Sequence, residues 1–113
     1  MPDLPPEDAK LLTLARSTRA RTRAAEGACV RDQDGRTYAG ATVELPSLRL
    51  SAVSVAVAMA VSSGATGLEA VAVLTEADAV AEPDLAVVRD FAGAGVPVLR
   101  GDARGQVVET LTS

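Results

Sequence analysis

The sequence contains no histidine and no tryptophan, and one residue each of cysteine, tyrosine, phenylalanine and lysine. Each scarcity closes a class of function. Without imidazole, the usual metal ligand and general base at neutral pH are missing, and no serine can be activated through a Ser-His pair. The single thiol, Cys29, excludes an internal disulfide. With Tyr38 and Phe91 as the aromatics, the core must be filled by Val, Ala and Leu, which favours close approach of backbones over large side-chain contacts. There is no stretch of about 18 consecutive apolar residues, so no membrane span is expected. The opening MPDLPPED lacks the basic-then-apolar layout of a signal peptide. A cytoplasmic protein is the expectation.

What is present points to one domain. The chain has 113 residues, 48% of them hydrophobic, enough for a single core. Residues 1–6 hold three prolines and read as a disordered lead-in, leaving 7–113 as the domain. The net charge is −4, but residues 1–23 carry +2 and residues 24–113 carry −6. An acidic body disfavours nucleic acid as a partner.

The rest of the chain is organised around Ser51 to Ser63, thirteen residues without charge, aromatic or glycine. Such a segment is expected to be buried on all sides. Val53, Val55, Val57, Met59 and Val61 alternate with small residues, as in a strand. Its length, a capping Ser51 and Gly64 just beyond its end favour a helix.

Before it, Pro6-Glu7-Asp8 opens a helix with the proline and acidic charge that suit a first turn. This helix runs into Arg16, Arg19, Arg21 and Arg23. These arginines read as a solvated helix end or as a contact for phosphate or an acidic protein face. Gly27–Val30 and Arg36–Val43 read as strands joined at Asp34-Gly35, a hairpin turn signal. Leu45-Pro46-Ser47 breaks the pattern. After it come a buried strand (Leu68–Thr75), a helix opened by Pro83 and running to Phe91, and strands at Val96–Leu99 and Gln106–Leu111. The order α-β-β-α-β-α-β-β gives an α/β fold.

That order, with Asp34-Gly35-Arg36, Gly40-Ala41-Thr42-Val43-Glu44, Ser51 through Gly64, Ala70–Val73 and Arg89-Asp90-Phe91, resembles the small homotetrameric cytidine deaminases. The resemblance implies a three-layer α/β/α fold with a mixed five-stranded sheet and helices on both faces. It also implies a zinc held by three cysteines, or by a histidine and two cysteines, and a glutamate that moves protons to and from the metal-bound water.

The chemistry of that family is absent here. Its Cys-Ala-Glu becomes Ser51-Ala52-Val53, and its Pro-Cys-x-x-Cys is best matched by Pro83-Asp84-Leu85-Ala86-Val87; a register shifted by three puts Ala81 and Asp84 at the two ligand places instead, and neither register supplies a cysteine. Asp84 reads as a first-turn helix stabiliser. Glu44 matches the family's ribose-binding glutamate, and Thr42 stands where an asparagine grips the ribose. No catalytic residue, metal ligand or cofactor is assigned. The expected function is that of a catalytically inactive cytidine deaminase-like protein with a binding or scaffold role. It is expected to be a homo-oligomer, dimer or tetramer, with a protein partner through the Arg16, Arg19, Arg21 and Arg23 face. Two alternatives stand beside it: nucleoside binding or residual deamination at the Thr42 and Glu44 side, and RNA binding through the arginines.

Overall fold

A computed structural model describes residues 4–113. Helix α1 (Pro6–Thr22) is followed by strands β1 (Gly27–Asp32) and β2 (Thr37–Ala41), then by a small hairpin of β3 (Val43–Leu45) and β4 (Leu48–Leu50). Helix α2 (Ala52–Ser62), strand β5 (Leu68–Leu74), helix α3 (Glu82–Ala92) and strands β6 (Pro97–Gly101) and β7 (Val107–Thr112) complete the chain. The main sheet has the order β2-β1-β5-β6-β7; β5 and β6 are parallel and the other pairs antiparallel. The fold is thus the expected α/β type with a mixed five-stranded sheet.

Period-two alternation sorts the strand residues to the two faces. Cys29, Ala70, Ala72, Leu74 and Leu99 turn toward α1 and meet Leu11, Leu12 and Ala15. Ala28, Val30, Val71, Val73 and Val98 turn the other way, toward Val53 and Val57 of α2 and Val88 of α3. Small residues allow the close packing that the scarcity of aromatics requires. A Cβ added to Gly27 would lie 2.3 Å from the Ala15 carbonyl oxygen, and one on Gly40 would lie 2.8 Å from Val55 Cγ1. Both helices therefore seat almost directly on sheet backbone.

Two β-hairpins use the same turn chemistry. Asp32 Oδ1 accepts the amides of Asp34 and Arg36, and Asp102 Oδ1 accepts those of Arg104 and Gln106. A glycine with positive φ, Gly35 or Gly105, follows in each turn. Asp32 also accepts the Tyr38 hydroxyl at 2.9 Å. Burial pushes the Asp32 carboxyl up, but these donors and nearby Arg36 outweigh it and hold the group below its ordinary range.

Three sequence expectations need adjustment. The break at Leu45-Pro46-Ser47 is the turn of the β3–β4 hairpin, whose short strands carry too little periodicity to be read. Of the lead-in expected over 1–6, residues 1–3 lie outside the described residues; Leu4 packs against the core and Pro6 is the first helical residue. The central segment is a helix, as length and caps indicate, with Ser51 accepting the Ser54 amide at 3.1 Å. Yet it is not buried all round: Met59 is 40% exposed and Val61 49%, because no element among the described residues covers that side of α2.

Candidate functional site

The N-termini of α2 and α3 meet beneath one edge of a cleft. Ser51 caps α2, and Asp84 lies in the first turn of α3 behind Pro83. The Ser51 hydroxyl donates to Asp84 Oδ1 at 2.6 Å, a charge-assisted hydrogen bond between residues 33 positions apart. Asp84 is buried, and two helix N-termini direct their dipoles at this carboxylate. The first-turn role read from sequence is thus half of what Asp84 does, because it also bridges the two helices. Val53, the second residue of α2, is fully buried in the core.

Ser51 forms part of the wall of a cleft of about 600 Å³, together with Arg19, Thr42, Glu44, Arg49 and Glu76. The cleft lies where the end of α1, the β3–β4 hairpin and the end of β5 converge. Thr42 and Glu44 both reach it, so the structure brings together the two residues singled out for ligand binding. Their availability differs. The Thr42 hydroxyl accepts the Glu26 amide at 3.0 Å and donates back to the Glu26 carbonyl at 3.4 Å, whereas Glu44 is exposed. Arg19 Nε donates to the Ala25 carbonyl at 3.0 Å, and its guanidinium approaches Glu76 at 4.0 Å. Arg49 stands opposite Glu44 in the hairpin register. Arg49 and Glu76 carry no signal in the sequence that places them here, because β4 is three residues long and Glu76 lies in the loop after β5, where periodicity says nothing about direction.

The four arginines of the N-terminal segment are dispersed. Arg19 lines the cleft, and Arg23 caps α1 with a left-handed backbone (φ 55°) beside Thr42 and Glu44. Arg16 faces a separate recess toward the β6–β7 turn, and Arg21 is exposed.

The donor set does not fit zinc. A tetrahedral site needs three or four N, S or O donors converging on one point. The residues at the matching places supply one hydroxyl and one carboxylate, which are committed to each other, and the apolar Val87. No group of three His, Cys, Asp or Glu side chains assembles anywhere among the described residues. Cys29 lies on β1, facing α1, and burial raises its thiol pKa to about 11, so it is a protonated core residue at neutral pH. Ser51 has no imidazole beside it, and its hydroxyl proton is already directed at Asp84.

A family model described as cytidine deaminase-like matches residues 4–105. Among solved structures, the chain is similar to cytidine deaminase from Burkholderia pseudomallei, with a TM-score of 0.77 and 21% identity, over 92% of this chain and 89% of that one. It is similar to cytidine deaminase from Mycobacterium leprae (TM-score 0.71, 19% identity, 91% and 90% covered). A third likeness is to cytidine deaminase from Mycobacterium tuberculosis (TM-score 0.68, 25% identity, 79% and 80% covered). No curated protein sequence matches the chain.

Proposed function

We propose, for a chain that belongs to the cytidine deaminase-like family, a role in binding without deamination. The observation that carries this reading is the Ser51–Asp84 hydrogen bond, which joins α2 and α3 at the place where the family resemblance puts its metal. Zinc would supply a hydroxide near neutral pH, and a glutamate would carry its proton to the ring nitrogen and the leaving amine. Here the shuttle position is Val53, inside the core, with no titratable atom to offer. Replacing thiolates and a glutamate by apolar groups and one satisfied Ser–Asp pair leaves no uncompensated charge, so the fold can stand without the metal.

The uncharged outer side of α2 supports a homo-oligomer. Met59 and Val61 are exposed on a helix with no charged residue, a surface that water disfavours and a second subunit would cover. The test pairs two measurements on protein purified without added metal: zinc content and ammonia release from cytidine. Substoichiometric zinc together with no ammonia above the buffer rate is the expected result. Stoichiometric zinc with turnover would overturn the reading.

A second reading is favoured by the cleft itself, which keeps a carboxylate at Glu44 and room for a small molecule. In it the protein retains a nucleoside without converting it. A nucleoside panel in a thermal-shift assay tests this, since a ligand that binds the native state raises the melting temperature. A shift lost in Glu44→Gln is expected, and a flat panel would count against it.

A further inference from the structure

Away from the cleft, α1 and the β6–β7 turn enclose a second recess of about 310 Å³. Leu4, Ala9 and Leu12 contribute its apolar lining, and two arginines, Arg16 and Arg104, share the wall. They are 88 positions apart and come together through the fold. The Arg16 stem lies over the turn, its Cδ 3.5 Å from where a Gly105 side chain would begin. Gly105 has the positive φ of 85° that closes the turn. Arg104 is held by the turn as well, because its amide donates to Asp102 Oδ1 at 2.9 Å.

No carboxylate lines the recess among the described residues, and neither arginine makes an ion pair there. Arg104 also borders a neighbouring pocket with Glu76, Asp78 and Asp102, where Asp102 spends Oδ1 on backbone amides, and Asp8, next to Ala9 in sequence, pairs with Arg31. Two like charges on one recess, with no carboxylate in its wall among the described residues, form a local positive field in a chain of net charge −4. Guanidinium groups suit the oxygens of a phosphate bidentately; Thr13 also lines the recess, its hydroxyl donating to the Ala9 carbonyl at 3.2 Å. We propose that this recess is a binding site for a phosphate monoester borne on a short aliphatic body, the phosphate between Arg16 and Arg104 and the chain over Leu4, Ala9 and Leu12.

The probe is hexyl phosphate, with inorganic phosphate and 1-hexanol as separate arms. Titration into ¹⁵N-labelled protein follows the side-chain Nε–Hε signals of Arg16 and Arg104 and gives a dissociation constant. A saturable one-to-one shift of both signals is expected, with inorganic phosphate and hexanol each binding at least about tenfold more weakly. Arg16→Gln and Arg104→Gln should each weaken hexyl phosphate about tenfold, as loss of one charge-assisted contact predicts. Arg21→Gln, an exposed arginine outside the recess, should change it less than about twofold, the scale of a distant screened charge. Both recess substitutions are at exposed positions, so folding should persist, and the wild-type shifts stand without them. Equal loss in Arg21→Gln, a non-saturating titration, or inorganic phosphate binding as tightly as hexyl phosphate would each overturn the proposal.

Discussion

Removing the Ser51 hydroxyl should cost far more than a surface serine is worth. Ser51→Ala deletes two bonds: the cap to the Ser54 amide at 3.1 Å and the 2.6 Å bond to Asp84. Loss of a helix cap costs about 1 kcal/mol. Loss of a hydrogen bond to a charged group costs about 1.5–3 kcal/mol, because a buried carboxylate is left without its donor. The sum is about 2.5–4 kcal/mol, which for a domain of this size lowers the melting temperature by at least about 10 °C. Asp84→Leu, similar in shape, removes the charge but leaves the cap in place. The double variant S51A/D84L still lacks the cap on the Ser54 amide but strands no carboxylate, and should be more stable than Ser51→Ala alone by about 1 kcal/mol or more. Urea denaturation of the four proteins, at equal m-values, reads the coupling directly. Effects that add to within about 0.5 kcal/mol would refute the view that this pair replaces a metal as the link between the helices.

Other outcomes follow from the same geometry. S51C/D84C/V87C restores three thiols at the matched positions, and atomic emission should find about one zinc per chain in it, but no ammonia release, because Val53 cannot move a proton. Asp32 is held below its ordinary range, so the unfolded chain takes up a proton at a higher pH than the native one. Stability from Asp32 is therefore present at neutral pH and is lost as pH falls through the carboxylate range and below, while Asp32→Asn should flatten that part of a stability–pH profile. Gly40→Ala should cost about 1–3 kcal/mol in denaturant, since its Cβ would press on Val55 and the Ala56 amide and lift α2 off the sheet. Gly67→Ala meets nothing within 4 Å and should stay within about 0.5 kcal/mol of the parent.

Apart from the short β3–β4 hairpin, the element order was legible because the signals were strong and local: prolines at helix starts, glycine turns, and strands of Val and Ala bounded by charge. The helix over Ala52–Ser62 was decided by Ser51 as a cap against an alternation that favoured a strand, and the cap is observed. What escaped was long-range. No pattern in the sequence says that the hydroxyl of residue 51 meets the carboxylate of residue 84, or that Arg16 shares a recess with Arg104. Those pairings are set by how α1, α2 and α3 seat on the sheet, and so by Gly27 and Gly40, where side chains are missing. The exposed side of α2 escaped for another reason: uniform apolarity reports that a helix is covered in its working state, but not whether its own chain does the covering.

The Tyr38 phenol, bonded to the Asp32 carboxylate, has an optical consequence. With no tryptophan and one tyrosine, nearly all intrinsic fluorescence comes from this ring. A carboxylate that accepts the phenol proton in the excited state quenches tyrosine emission. Opening of the first hairpin should brighten it, so the chain carries its own light gauge for whether β1 and β2 remain joined.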